Sequence, residues 1–345
     1  MTRDVSIAEI SADLGARAEG FCRAYFAEGH RQGIYWQIGD TSGAAGRSLV
    51  IRLHAGDGRK AGGWTDYATG EFGDLVDLLQ AKLGSRSLHE TLIEARRFLG
   101  NAPLPEQRLS NKASKDAGTA TAKRIESARK LFAAGRPILG TITAVYLHGR
   151  GIARFGPALR YHPRVYFRGA DIGRDQPRYA PALLAKITDN QGNITGCART
   201  YLDPTTGRIA DLSSPKRILG QLHGNAIRFW SASNLDELIV GEGLENTLSI
   251  GTALPEFNLA SCLTATHLGL FIPPSGVKRI WIARDNDVAG ERAAQTLASK
   301  LASSGVECAS LVPKLGDFNE DLLVFGKDAL RGTLFSAMNM EGLSD

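Results

Sequence analysis

The chain has few cysteines, and none of them are closely paired. Four are present in 345 residues, at Cys22, Cys197, Cys262 and Cys308. Zinc sites built on cysteine use close spacings such as Cys-x-x-Cys, and disulfide scaffolds use a higher density of cysteine. The scattered positions exclude both patterns. We therefore expect no zinc, and a reducing, cytoplasmic setting.

Long apolar runs and nucleotide-hydrolysis loops are also missing. No stretch approaches the ~18 apolar residues of a membrane span, so we expect no membrane association. The first residues carry charges and lack the apolar segment of a secretory signal. No Gly-x-x-x-x-Gly-Lys-Ser/Thr loop occurs in the sequence, which excludes a helicase motor of that kind. Any strand separation would need a partner helicase.

Charge of the two signs is unevenly distributed along the chain. Residues 236–345 hold 8 Lys/Arg and 15 Asp/Glu, a net charge of −7. Residues 1–235 hold 33 Lys/Arg and 21 Asp/Glu, a net charge of +12. A basic N-terminal part and an acidic C-terminal part suggest that the protein holds nucleic acid or nucleotide against an acidic metal site. Ordinary solubilising surface charge is the alternative.

The rest of the chain is organised around an acidic motif that follows an apolar strand. Residues 280–283 predict a buried strand, which ends in Asp285-Asn286-Asp287 before Gly290 and a helical pattern. Ligands bind at the carboxyl ends of strands in open α/β sheets. Two carboxylates this close repel each other unless a cation lies between them, and Mg²⁺ or Mn²⁺ suits carboxylate oxygens.

A second motif has the same order of strand, acid, glycine and helix. Residues 238–241 predict a strand, followed by Glu242, Gly243 and a helix that contains Glu245. Together the two motifs resemble the Toprim domain, which bacterial primases, topoisomerases and some nucleases share. The resemblance covers residues 236 to about 323. It implies an α/β fold with a Rossmann-like, mainly parallel sheet, for which we set the bounds 236–325, followed by a closing helix and tail over 326–345.

The resemblance also implies roles for individual residues. Glu242, Asp285 and Asp287 would be catalytic and would hold Mg²⁺ or Mn²⁺. Asp317 would join the metal ligands, because the segment from Asp317 to Asp321 resembles an acidic element of primase-like Toprim proteins. Its alternative is a helix cap. The residues expected to support the site are Gly243, Glu245, Asn286, Gly290, Asn319 and Asp321.

Residues 122–235 predict a basic α+β subdomain. A hairpin is expected from residues 182–188 and 194–202, joined by an Asp-Asn-Gln-Gly-Asn turn. In primases a basic, β-rich subdomain precedes the Toprim domain, and this region resembles it. The basic residues expected to bind nucleotide or DNA phosphates are Arg199, Lys216, Arg217 and Arg284. Their alternative role is to solvate a strand face.

Residues 1–100 predict a small α/β domain with short strands, and residues 101–121 a linker. Trp64-x-Asp-Tyr67 followed by Gly-Glu-Phe-Gly-Asp resembles the second half of the zinc-binding domain of primases, without its zinc cysteines. Four aromatic residues have two possible roles, stacking on single-stranded bases or packing in the core. They are Tyr35, Trp36, Trp64 and Tyr67.

The sequence thus predicts a primase-like nucleotidyltransferase that makes short RNA primers on single-stranded DNA. Its partners would be the DNA template, nucleoside triphosphates and a separate helicase or replication initiator. The length points to a plasmid, phage or mobile element. The alternatives are a Toprim-type metal-dependent nuclease, or a non-catalytic nucleic-acid-binding replication protein.

Overall fold

The computed structural model describes residues 7–56, 59–69, 71–83, 88–100, 112–167, 179–212, 214–230 and 235–341. The chain forms two compact units. The first contains residues 1–123, 168–178 and 212–217, and the second contains residues 124–167, 179–211 and 218–345. In the described part, no helix is both long enough and apolar enough to cross a membrane.

The first unit packs four helices on an antiparallel sheet. The helices are α1 (Ile7–Ala16), α2 (Ala18–Tyr25), α3 (Leu75–Leu83) and α4 (Leu88–Leu99). The strands, in sheet order, are β1 (His30–Gln32), β2 (Tyr35–Ile38), β3 (Leu49–Arg52), β4 (Trp64–Asp66) and β5 (Phe72–Gly73). The non-helical backbone of Arg17 (φ −112°, ψ 25°) separates α1 from α2, so the alanine-rich stretch over residues 7–26 forms two helices.

Two of the aromatic candidates are part of the core of this unit. Trp36 and Trp64 are only 4% and 6% exposed. Their indole N–H groups donate to the carbonyls of Phe26 (3.1 Å) and Asp74 (2.8 Å). Base stacking by these two rings is therefore not supported, because their faces are covered. Tyr35 and Tyr67 are partly exposed.

A four-stranded sheet opens the second unit, which contains all of it except Lys216 and Arg217 at the start of the last strand. Its order is β6 (Leu159–Tyr166), β7 (Tyr179–Thr188), β8 (Ile194–Tyr201) and β9 (Lys216–Gly220). β7 and β8 pair antiparallel, so the predicted hairpin is present. Two helices precede this sheet, α5 (Lys112–Ala133) and α6 (Ile142–Gly149). The predicted linker over 101–121 needs correction, because α5 already begins at Lys112; residues 101–111 lie outside the described part.

The second sheet of this unit is mainly parallel, as predicted. Its order is β10 (Ile227–Phe229), β12 (Asn258–Ser261), β11 (Glu237–Gly241), β13 (Arg279–Ala283) and β14 (Glu307–Leu311), with only β10 antiparallel. The helices are α7 (Leu244–Ala253), α8 (Ala265–Leu270), α9 (Val288–Leu301), α10 (Phe318–Phe325) and α11 (Lys327–Glu341).

Alternate residues of the parallel strands pack on opposite faces of the sheet. Ile239 and Trp281 belong to the core that contains residues of α7, α10 and α11. Val240 and Ile282 belong to the core that contains residues of α8 and α9. Because side chains alternate along a strand, a sheet covered on both faces needs continuous apolar strands. This requirement explains the apolar runs in the sequence.

The connections leave adjacent strands β11 and β13 in opposite directions. β11 continues through α7 to β12 on one side, and β13 continues through α9 to β14 on the other. A crevice opens at such a switch point, beyond the carboxyl ends of the two strands, and ligands bind there in open α/β sheets. Glu242 and the Asp285–Asp287 segment follow these two strand ends.

Candidate metal-binding site

The backbone places Glu242 beside the end of β13. Gly241 pairs with Ala283 across the two strands. The N–H of Glu242 donates to the carbonyl of Ala283 (3.3 Å), and the hydroxyl of Ser261 donates to the carbonyl of Glu242 (3.2 Å). The residue is therefore fixed from both neighbouring strands, at the same edge of the sheet as the end of β13, where the sequence motifs placed it.

The Glu242 carboxylate is largely withdrawn from solvent. Its Oε2 atom is buried and has no hydrogen-bond partner among the described residues. Burial, followed by the charges of Asp285 and Asp287, raises the pKa of Glu242 to about 7, against the opposing effect of a hydrogen bond from the Ala265 N–H. A buried carboxylate that faces two others lacks a positive partner, which a cation would supply.

Asp285 is oriented by a residue of the other motif. The side-chain amide of Asn246, in the first turn of α7, donates to Asp285 Oδ1 at 2.7 Å. Gly290 is required nearby, because a Cβ at that position would lie 2.6 Å from the Asp285 carbonyl oxygen. Gly243 has no such constraint, since its Cβ would meet Asn246 at an ordinary 3.5 Å. Close approach therefore explains only Gly290.

Asp287 and Asn286 shape the loop after β13. Asp287 caps α9, with Oδ1 accepting from the N–H of Gly290 at 2.7 Å. Asn286 donates its backbone N–H to Gly316 (3.0 Å) and its side-chain amide to Leu315 (3.2 Å). A cap leaves a carboxylate with a second oxygen, so capping and metal binding are compatible for Asp287.

The residues present fit a divalent cation that keeps much of its water. In the part of the chain that the structure describes, no three His, Cys, Asp or Glu side chains converge into a ready-made cage. Magnesium is commonly bound by one or two carboxylates with waters and substrate phosphates completing the octahedron. The unpaired oxygen of Glu242, next to two further negative charges, suits that type of site.

Glu245 has a different partner from the one expected. It is 5% exposed, and its carboxylate accepts a hydrogen bond from the hydroxyl of Tyr146 in α6 at 2.7 Å. Burial, with the Glu245 charge, raises the pKa of Tyr146 well above the usual value for tyrosine. Glu245 thus links α7 to α6, and its support of the acidic site stays a prediction.

The predicted element from Asp317 to Asp321 is engaged in hydrogen bonds that hold α10 and its loop. Asp317 caps α10 by accepting from the N–H of Glu320 (2.7 Å). Asp321, 2% exposed, accepts from the backbone N–H groups of Lys314 (2.8 Å) and Leu315 (2.9 Å). These contacts are those of the capping alternative, which leaves the metal role of Asp317 a prediction.

Asn319 makes its contacts within the same unit and away from the strand ends. It is 1% exposed. Its amide donates to the carbonyl of Arg150 (2.7 Å) and to Ser249 Oγ (2.9 Å), and its oxygen accepts from Arg150 Nη1 (2.9 Å). This network joins α10 to α7 and to the end of α6.

The four basic candidates occupy different environments. Arg217 is 3% exposed and donates to the carbonyl of Ser214 (2.7 Å). Arg199 is partly buried and donates to the carbonyl of Ile218 (3.2 Å). Arg284 is partly buried and donates to the carbonyl of Asp285 (3.2 Å). Of the four, only Lys216 is exposed.

Sequence reasoning missed Asn246, Ser261 and Tyr146. Asn246 has a detectable signal, because it is a polar residue four positions after Glu242 in the first helical turn. Ser261 and Tyr146 have none, because each meets its partner only through the tertiary fold.

The comparisons with known proteins agree with this architecture. Residues 237–328 match the family model of the Toprim domain, and residues 122–229 match a model described as a domain of unknown function. Residues 237–328 are therefore a Toprim domain, as the two acidic motifs predicted. No curated protein matches the chain.

Several solved structures are similar to the chain at low sequence identity. The Aquifex aeolicus primase (zinc-binding and RNA polymerase domains) is 17% identical over 97% of this chain and 86% of its own, with a TM-score of 0.40. A DNA primase domain from Pseudomonas aeruginosa is 16% identical over 62% of this chain and 78% of its own, with a TM-score of 0.42. The RNA polymerase domain of the Mycobacterium tuberculosis primase is 16% identical over 62% of this chain and 80% of its own, with a TM-score of 0.42.

Proposed function

We propose that the protein is a primase-like nucleotidyltransferase that joins ribonucleotides into short RNA primers on single-stranded DNA, with Mg²⁺ or Mn²⁺ as cofactor. The observation that carries this proposal is the buried carboxylate oxygen of Glu242, which has no hydrogen-bond partner among the described residues, beside the charges of Asp285 and Asp287 at the switch point of a Toprim sheet. Glu242, Asp285 and Asp287 would hold the metal, and Asp317 is a further candidate ligand.

The chemistry is assigned to residues according to their surroundings. When bound, the metal neutralises charge on phosphoryl oxygens and helps to align the attacking hydroxyl. Asn246 holds Asp285 in one orientation, and the α9 cap fixes Asp287. Because the pKa of Glu242 is about 7, this carboxyl group can hold or release a proton at Oε2 near neutral pH. Its role is therefore either a ligand or an acid/base group.

Basic and aromatic side chains are assigned to the template and the nucleotides. Lys216 is the most accessible of the four candidates for phosphate contact, with Arg199, Arg217 and Arg284 as candidates of more restricted access. In the first unit, a cavity of 1130 Å³ is lined by Tyr35, Arg52, Arg59, Lys60 and Tyr67 among others. Rings next to cations are the chemistry used to bind single strands, by stacking and phosphate contact.

The cellular role follows from the same substrates. The protein would act in the cytoplasm in replication of a plasmid, phage or mobile element, with a separate helicase or replication initiator as partner. A Toprim nuclease shares the acids but uses water in place of a 3′-hydroxyl. The net charge of +12 over residues 1–235 favours a protein that holds nucleotides and template as well as metal.

Primer synthesis on single-stranded DNA with labelled ribonucleotides and Mg²⁺ or Mn²⁺ tests the proposal. The wild type is compared with Asp285→Ala/Asp287→Ala and with a matched control, Glu291→Ala/Asp328→Ala. The control removes two exposed acids of the same sheet region. Short products from wild type and control, absent with the Asp285/Asp287 variant, are expected.

Two other outcomes would overturn the proposal. Cleavage of the template that depends on Asp285 and Asp287 would make the protein a nuclease. Binding of DNA without synthesis or cleavage, unchanged in the double variant, would make it a non-catalytic binding protein. Circular dichroism of every variant separates loss of activity from loss of folding.

A further inference from the structure

A cavity of 310 Å³ lies in the second unit, and none of the proposed metal-binding residues lines it. This volume is at the lower end of the roughly 300–1,000 Å³ that ligand pockets span. Its walls come from the loop over residues 154–158, the ends of β7 and β10, the second half of α7 and the first part of β12. Leu259 in this wall pairs with Ile239, three residues before Glu242 along β11.

The charged residues that line the cavity are all of one sign. Among the described residues of the wall, Arg154, Lys186 and Arg228 are basic, and none is Asp or Glu. Arg154 is exposed and Lys186 is half-buried, so both can move their charged groups towards a ligand. Three cations around a concave surface create a positive potential that attracts and holds anions.

Arg228 is the most deeply placed of the three cations. It is 6% exposed, and it donates to Asn190 Oδ1 (2.7 Å) and to the carbonyl of Thr188. Its Nε atom is buried and has no hydrogen-bond partner among the described residues. Burial lowers the pKa of Arg228 to about 10, and the charge of Asp189 acts in the opposite direction. The group therefore stays charged at neutral pH, and a bound anion would offset its lost hydration.

Aromatic and apolar side chains complete the wall. Trp230 is 50% exposed, which is unusual for a tryptophan, since tryptophan is highly buried on average. Phe155 and Phe257 are half-buried, and Leu254 adds an apolar surface. Exposed rings beside cations bind the flat face of a nucleobase through stacking while the cations hold the phosphate.

We propose that this cavity binds a nucleotide, with the phosphate on Arg154, Lys186 and Arg228 and the base against Trp230. The ligand chemistry is a planar base joined to a phosphate, which a free nucleotide and the phosphorylated end of a DNA or RNA strand share. The inference goes beyond the proposed function, because it requires neither the acidic residues nor a divalent cation.

Isothermal titration of the full chain with adenosine 5′-monophosphate in EDTA tests the site without the metal. We expect binding of this probe, and binding at least about tenfold weaker for adenosine and for ribose 5-phosphate, since each lacks one half of the recognised group. A thymidine oligonucleotide with and without a 5′-phosphate distinguishes the two sources. If the phosphorylated oligonucleotide binds more tightly than the free nucleotide, the ligand of the cavity is a strand end. If the free nucleotide binds more tightly, the ligand is a free nucleotide.

The variants avoid the buried Arg228, whose removal would disturb folding. Arg154→Ala/Lys186→Ala is expected to weaken binding of the mononucleotide by about tenfold or more. Trp230→Leu is expected to reduce the affinity for adenosine 5′-monophosphate to that for ribose 5-phosphate. Arg208→Ala removes an exposed arginine of the same unit and is the matched control, with unchanged affinity expected.

The proposal is overturned if the wild type does not bind the mononucleotide in EDTA, or if Arg154→Ala/Lys186→Ala binds it as the wild type does. Equal affinity for inorganic phosphate and the mononucleotide would overturn the role of Trp230. The variant Asp285→Ala/Asp287→Ala is expected to bind the mononucleotide unchanged. The absence of primer synthesis and the absence of nucleotide binding to this cavity are thus separate results.

Discussion

At the ends of β11 and β13, the carboxylate of Glu242 lies near the charges of Asp285 and Asp287, and one of its oxygens has no hydrogen-bond partner among the described residues. At the start of α10, Asp317 and Asp321 instead accept hydrogen bonds from backbone N–H groups. Both regions are acidic in sequence and follow parallel strands of one sheet.

The difference between the two regions shows that acidic spacing alone does not define a metal site. A carboxylate that accepts several N–H groups is already stabilised in its charged form and holds the backbone in place. A buried carboxylate near like charges raises the free energy of the folded state until a cation arrives. The hydrogen-bonded carboxylates lower the free energy of the folded state. The buried carboxylate of Glu242 raises that free energy, as is common for groups placed for binding.

Among the variants, Glu242→Gln is expected to have the largest effects, and these should be opposite in sign for activity and for stability. Primer synthesis should fall by at least about a hundredfold, because an essential carboxylate is removed. The free energy of unfolding at pH 8 should rise by about 3 kcal/mol, because the folded pKa of about 7 lies well above the unfolded value of 4.5, so the wild type loses stability as the pH rises from 4.5 to 7. Urea denaturation and the primer assay measure the two effects.

Glu291→Gln, which changes an exposed acid of α9, is the control and should alter neither quantity. A Glu242→Gln protein that is less stable than the wild type at pH 8 would show that Glu242 is a structural residue like Asp321.

A variant of His267 tests helix α8, whose Ala265 N–H donates to Glu242. Burial, followed by the charge of His223, lowers the pKa of His267 to about 4. Between that value and the unfolded value near 6.5, the unfolded chain binds more protons, so stability is full above pH 6.5 and falls as the pH drops towards 4. The loss should approach about 3 kcal/mol, measured by urea denaturation against pH.

The comparison variant is His267→Gln. Its free energy of unfolding should not show the loss between pH 6.5 and pH 4 that is expected from His267. His223→Gln removes an exposed histidine and should retain nearly all of it. Identical profiles for the wild type and His267→Gln would show that His267 does not titrate differently in the folded state.

Asp321→Ala should lower the free energy of unfolding by about 2 kcal/mol, because the N–H groups of Lys314 and Leu315 would lose their acceptor. Asp321→Asn should cost less, since one oxygen remains. Manganese affinity, measured by titration, should stay unchanged in both. A fall in affinity in the Asn variant would move Asp321 into the metal site; Asp328→Ala, an exposed acid of α11, is the control.

Asn246→Ala should lower manganese affinity by about tenfold, because Asp285 loses the hydrogen bond that orients it. Isothermal titration with Mn²⁺ measures the change. Asn225→Ala, in a loop of the same unit, should leave the affinity as it is. Unchanged affinity in Asn246→Ala would indicate that Asp285 is not a ligand, or that its orientation does not matter.

The smallest effect is expected for Asp317→Ser. A serine keeps the cap of α10, so the free energy of unfolding should change by no more than about 0.5 kcal/mol, whereas Asp317→Ala should cost about 1 kcal/mol. Manganese titration of the serine variant then separates the two roles. Lost affinity at full stability assigns Asp317 to the metal ligands, and unchanged affinity restricts it to the cap.

The sequence by itself was sufficient to predict the mainly parallel sheet, the hairpin of β7 and β8 and the meeting of Glu242 with Asp285. These features depend on local patterns. Continuous apolar runs form strands buried on both faces, and residues that follow neighbouring parallel strands share one edge of the sheet. The break at Arg17 and the early start of α5 were missed, because apolar periodicity defines element boundaries poorly.

Only the tertiary structure decided which polar residues are committed to other partners. Asn246 meets Asp285 across 39 residues, and Arg150 meets Asn319 across 169. Arg217 looks available in the sequence, yet the fold buries it. A side chain's free energy depends on the hydrogen-bond partners and the burial that distant segments provide, and no local pattern encodes them.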